Sequence, residues 1–142
     1  MNIITVTGYK NMNAFGRDLR TSCIIKQRTP EMIVAYSENA DRSRGIPYQP
    51  VQFPKGKWLI GIPEQTDDPL MAPYFIPTNA HQLIIGLDGN AREDYGYGIH
   101  FDSEFEETWG CLHLYSADDA QWLAEQIKIE QTNGGAVLLN VV

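Results

Sequence analysis

Two residues of this sequence carry reactivity around which the rest can be read: the thiol of Cys111 and the imidazole of His100. A free cysteine titrates near about 8.5, so its thiol is mostly protonated at neutral pH, and only the thiolate attacks a carbonyl. A histidine within hydrogen-bond reach takes that proton and holds the thiolate as an ion pair. Gly98-Ile99-His100 is followed by an acidic connection (Asp102, Glu104, Glu106, Glu107) and then by Thr108-Trp109-Gly110-Cys111-Leu112-His113. Gly110 leaves the backbone before the sulfur without a side chain, so a substrate can come close. Backbone N–H groups around Gly110 and Cys111, with the Thr108 hydroxyl, are candidate donors to a developing oxyanion. Trp109 and Tyr97 are expected as substrate walls. His113 shares the strand face of Cys111; it is either a second polar group in contact with substrate or a partly exposed strand histidine.

Plainer readings stand beside these. A cysteine next to a glycine in a β-rich chain is often a buried structural residue. The acidic connection reads as a solvated hairpin loop. His81, His100, His113 and Cys111 include no close ligand pair with a zinc spacing, so no metal is expected. Cys23, in the apolar run Ser22-Cys23-Ile24-Ile25, reads as a small buried filler.

The elements that must position these residues are mostly short strands. Ile3 to Thr7, Cys23 to Ile25 and Met32 to Tyr36 are rich in β-branched residues. Asn11 to Arg20 is expected to hold a short helix interrupted by Gly16. Ser37 to Pro54 reads as an irregular loop. Lys57 to Ile62 is a strand after the Pro54-Lys55-Gly56 turn, and Pro63 to Pro77 is a Pro-rich loop. Further strands are expected over His81 to Gly86, over Tyr95 to Phe101, where glycines imply a close approach, and over Cys111 to Tyr115. A helix starts after the N-cap Ser116, with Asp119 in the capping-box position. Ala120, Leu123, Ala124 and Ile127 form its apolar face, and Asn133-Gly134-Gly135 stops it. Ala136 to Val142 is a closing, central strand. The fold class is therefore mainly β with one helix, a β-rich α+β chain.

The chain has 142 residues, a length suited to one domain, and two cysteines, too few for a disulfide framework. A net charge of −7 and a pI near 4.8 argue against nucleic acid as a partner. No apolar run is long enough to be a membrane segment. The first residues show no signal peptide, so synthesis in the cytoplasm is expected, with delivery to the periplasm or cell wall by another route or by a phage.

The motif order resembles the L,D-transpeptidase catalytic family of the YkuD type. There a Gly-Ile-His histidine is followed by Ser or Thr, any residue, Gly, the nucleophilic cysteine and an aliphatic residue, as in Gly98-Ile99-His100 and Thr108-Trp109-Gly110-Cys111-Leu112. Phe53 to Ile60 resembles the family's earlier turn and strand, the segment after Ser116 its helix, and Gly134 to Leu138 its final strand. The resemblance covers residues 53–142 of a single expected domain over 1–142; residues 1–52 match no part of it. It implies a β-sandwich-like fold and a two-step acyl transfer on peptidoglycan stem peptides, with a Cys111 thioester, His100 as general base and no cofactor. Phe101 stands where the family has Gly. His113 stands where it has an Arg that helps bind an anionic part of the substrate. The acceptor would be an amine in a transpeptidase or water in a carboxypeptidase. Two alternatives accompany this reading. One is a non-catalytic cell-wall-peptide-binding module or phage structural protein on the same fold; the other is a cysteine hydrolase of another amide.

Overall fold

The computed structural model describes residues 2–25, 51–86, 88–103 and 110–142. They form a mainly β structure: β1 (Asn2–Thr7), β2 (Asn11–Ala14), β3 (Arg17–Ser22), β4 (Gly56–Leu59), β5 (Glu64–Gln65), β6 (Tyr74–Pro77), β7 (Gln82–Ile85), β8 (Ala91–Asp94), β9 (Gly98–Phe101), β10 (Leu112–Leu114), helix α1 (Ala117–Thr132) and β11 (Val137–Val141). Nine strands pair in the order β4-β11-β1-β2-β3-β10-β9-β6-β5, and β7-β8 forms a separate hairpin. Past β4, Ile60 bridges Thr78 just beyond β6, and Gly61 N–H donates at 2.9 Å to the carbonyl of Pro77, the last residue of β6. The β4 side of the strand order thus meets β6, next to its other end, and the sheet curls on itself.

The helix forms as its sequence dictates. Ser116 caps it, accepting from the Asp119 N–H at 3.3 Å, and Ala120, Leu123, Ala124 and Ile127 are its buried residues. Its end is a Schellman turn: Gly134 N–H bonds the Gln131 carbonyl and Gly135 N–H bonds the Glu130 carbonyl, with Gly134 at φ +79°. The buried helix face packs against β6, β9, β10 and β11. The core joins it to Ile4, Val6, Ile76, Ile99, Leu112, Leu114 and Leu139.

Three local expectations are corrected. Asn11 to Arg20 is a β-hairpin and holds no helix. Met12 and Ala14 point into the core while Asn11 and Asn13 face out, a period of two. Phe15 and Gly16 both take positive φ, 51° and 77°, the geometry that tight hairpin turns require. The Pro-rich stretch from Pro63 to Pro77 contains β5 and β6, paired antiparallel. The acidic connection is not a hairpin, because β9 and β10 run parallel, with Leu112 opposite Ile99 and His113 opposite His100. β11 has neighbours on both sides, β1 and β4. The strand expected at Met32 to Tyr36 and most of the loop from Ser37 to Pro54 lie outside the described residues.

β9 is threaded closely through its surroundings. A Cβ added at Gly98 would stand 2.4 Å from Phe75 Cζ and 2.6 Å from the Ile76 carbonyl oxygen, both on the paired strand β6. Gly98→Ala is therefore expected to destabilise the protein by about 1–3 kcal/mol through overpacking, read as a lower urea midpoint. An unchanged midpoint would show that β6 yields without cost.

Candidate active site

The parallel register of β9 and β10 brings the N-terminal ends of the two strands together. Cys111, just before β10, lies beside Gly98, the first residue of β9: the Gly98 N–H donates to Cys111 Sγ at 3.4 Å. The sulfur also lies 3.8 Å from the Gly96 carbonyl, and Cys111 is partly exposed. His100, two residues along β9, feels the Cys111 side chain strongly enough that the sulfur raises the pKa of the imidazole. Its Nδ1 is 2.8 Å from the Phe101 carbonyl. A carbonyl only accepts, so Nδ1 carries a hydrogen and Nε2 is the nitrogen left to take a proton from the thiol.

His100 is 6% exposed, and burial alone would push its pKa down. The Cys111 side chain, the Phe101 carbonyl and the Asp102 carboxylate outweigh that, and the net shift is upward. The imidazolium form of His100 is thus easier to form here than in an ordinary histidine.

His113 is the second histidine of the site and is fully buried. Its ring centroid is 5.5 Å from that of His100, and Nε2 lies 3.5 Å from Asp102 Oδ2. Neither ring nitrogen has a hydrogen-bond partner among the described residues, nor does the buried hydroxyl of Ser22, its neighbour in register on β3. Burial, then the charge of His100, push His113 down to about 4, against the pull of Asp102. Of the two sequence expectations for His113, partial exposure is excluded, and any influence on a substrate passes through its neighbours.

The other expected site residues divide. Tyr97 is 1% exposed, with its hydroxyl donating to Asp94 Oδ2 at 2.5 Å and accepting from Gln82 Nε2 at 2.9 Å. It is a structural post and presents no wall to a substrate. Its ring fills the room a side chain would need at Gly110, where a Cβ would stand 2.4 Å from Tyr97 Cε1. Gly110, at φ +106°, is thus required by packing and backbone conformation, rather than by open access to the sulfur. Thr108 and Trp109 lie outside the described residues. His81 belongs elsewhere: it pairs with Glu93 at 3.4 Å and packs against Trp58 and Tyr95. Among the described residues no group of three His, Cys, Asp or Glu side chains could hold a metal ion.

Several contributors were not singled out from sequence. Phe101 serves through its carbonyl, which no side-chain pattern reveals. Asp102 was seen only as one of several loop acids. Cys23 is buried as expected, yet its thiol contacts the Gly110 carbonyl at 3.5 Å.

The two histidines give opposite pH dependences. The folded pKa of His113 lies below the unfolded value of about 6.5, so between about 6.5 and 4 the unfolded chain binds a proton that the folded chain refuses. Stability from this group falls as pH drops through that window, by up to about 3 kcal/mol. His100 acts in reverse: its contribution is full below the unfolded value and is lost as pH rises through the raised folded one. Urea unfolding near neutrality and near about pH 5 is expected to show a smaller acid loss for His113→Leu than for the parent. Equal losses would place the acid sensitivity elsewhere.

The chain matches no family model, no curated protein and no solved structure.

Proposed function

We propose that the protein is a cysteine-dependent acyl-transfer enzyme acting on peptidoglycan stem peptides, an L,D-transpeptidase or L,D-carboxypeptidase. The observation that carries this reading is the His100 imidazole, tied by Nδ1 to the Phe101 carbonyl and raised in pKa by the nearby Cys111 sulfur. That arrangement is what a thiol nucleophile needs: a base of fixed tautomer and a partner charge for the thiolate. The substrate class is supported by the resemblance of Gly98-Ile99-His100 and Thr108-Trp109-Gly110-Cys111-Leu112 to the YkuD-type motif. The mainly β fold with one described helix is compatible with the sandwich that this resemblance implies.

In the first step the Cys111 proton already rests on His100, and the thiolate sulfur attacks the carbonyl that follows the L-centre of the stem-peptide diamino acid. The carbon–nitrogen bond to D-alanine breaks, His100 returns the proton to the leaving amine, and a thioester remains on Cys111. In the second step an amine of another stem peptide, or water, attacks the thioester with His100 again as base. The thiolate leaves, and a cross-link or a shortened peptide is released. The N–H of Gly98 steadies the sulfur whenever it carries charge.

The test is mass spectrometry of purified disaccharide-tetrapeptide incubated with the protein, Cys111→Ala and His100→Gln. The expected result is release of D-alanine or a cross-linked dimer with the parent. None should form with Cys111→Ala, and His100→Gln should lower the rate by roughly 10²–10⁴-fold. Unchanged muropeptide with folded parent protein would contradict the proposal and favour the binding-module reading.

A further inference from the structure

Behind the backbone that carries Cys111 stands a second thiol that the acyl-transfer steps do not use. Cys23 follows β3 and is 6% exposed. The Phe53 N–H donates to its Sγ at 3.2 Å, and the thiol donates to the Gly110 carbonyl at 3.5 Å. Burial pushes its pKa up to about 11, so the thiol keeps its proton at neutral pH and remains a donor. A buried, protonated thiol is a poor nucleophile; its chemistry here is that of a hydrogen-bond bridge.

What the bridge holds is specific. The Gly110 carbonyl and the Cys111 nitrogen belong to one planar peptide unit, so fixing the oxygen fixes the plane from which the Cys111 side chain departs. That plane needs fixing, because a glycine has many backbone states and Gly110 must keep one at φ +106°. The Tyr97 ring confines Gly110 at its α-carbon, and the Cys23 thiol confines it at its carbonyl. Phe53 anchors both restraints. Its N–H is on Cys23, and its ring meets the Tyr97 ring edge-on at 5.6 Å. Phe53 is fully buried, and its own carbonyl accepts from the Tyr9 hydroxyl at 2.8 Å.

We infer that Cys23 is a positioning residue: through the Gly110 carbonyl it sets the Gly110–Cys111 peptide and so the aim of the Cys111 sulfur toward His100. The inference rests on the reading of Cys111 as the reactive thiol, and not on the identity of the substrate.

The test is the rate of Cys111 alkylation by iodoacetamide across pH, followed by peptide mapping so that Cys111 is scored apart from Cys23, in the parent, Cys23→Ala, Cys23→Val and Cys23→Ser. Alanine and valine both remove the donor but alter packing in opposite directions, while serine restores a donor. Both donor-less variants are expected to alkylate Cys111 roughly tenfold more slowly near neutrality, the scale on which small misplacements of reacting groups act. Their pH profiles should move toward that of an ordinary thiol, and Cys23→Ser should recover most of the parent rate and profile. Parent-like rates and profiles in Cys23→Ala and Cys23→Val would overturn the inference, as would an equal slowing in all three variants, which would make the role one of packing. The assay needs no muropeptide. A parent protein that alkylates readily but leaves muropeptide intact would defeat the peptidoglycan reading alone. A parent Cys111 no more reactive than a free thiol would defeat both.

Discussion

The structure of the site depends on the parallel pairing of β9 with β10. Parallel neighbours align like ends, and here the like ends carry the groups that matter: Gly98 and His100 on one strand, Cys111 and His113 on or beside the other. An antiparallel pairing of the same segments would have set the N-terminal end of β10 against the C-terminal end of β9, and so Cys111 away from Gly98. The pairing is enforced from both flanks. β6 packs its Phe75 ring and Ile76 carbonyl so tightly against Gly98 that no side chain fits there. β3 holds β10 on its other edge, where the Thr21 hydroxyl donates to the His113 carbonyl. His100 and Cys111 are thus carried on or beside inner strands of the sheet, with helix α1 packed against both strands.

That placement puts two buried imidazoles side by side in register, and burial cannot accommodate two charges there. The environment separates them. His100 has a carbonyl on Nδ1 and the Cys111 sulfur nearby, and its pKa is raised. His113 has no hydrogen-bond partner for either nitrogen among the described residues and is driven neutral by burial and by its neighbour. Divergent titration of adjacent groups commonly marks a working site. A buried nitrogen without a hydrogen bond costs about 1–3 kcal/mol; at His113 the Asp102 carboxylate, 3.5 Å from Nε2, offsets part of that cost. In the family that the motif resembles, this position is an arginine, a larger group with a fixed charge. A neutral histidine here leaves His100 as the favoured cation of the pair.

The sequence made some of this readable and hid the rest for definable reasons. The helix was legible in its cap Ser116, its four core residues and its Asn133-Gly134-Gly135 stop, because these signals are local. Strands such as β1 and β11 announced themselves by β-branched and apolar runs. The β2–β3 hairpin did not: its inward residues, Met12 and Ala14, alternate with asparagines, and Phe15 is an unusual residue at positive φ. Cys111 and His100 could be paired from their motif, but the parallel sense of their strands could not, since strand direction is set by contacts remote in sequence. The same holds for Tyr97, expected as a substrate wall, whose neighbours Asp94, Gln82 and Phe53 make it a buried post. Cys23 was legible as buried, but its bond to Gly110 joins residues 87 positions apart.

The central claim is that Cys111 and His100 form a thiolate–imidazolium pair, and the most direct measurement is the ultraviolet absorbance of the thiolate as a function of pH in the protein and in His100→Ala. The account expects a thiolate signal at neutral pH in the parent, absent from Cys111→Ala and lost when His100 is removed. A parent protein with no thiolate signal at neutral pH, or a signal that survives His100→Ala unchanged, would contradict it.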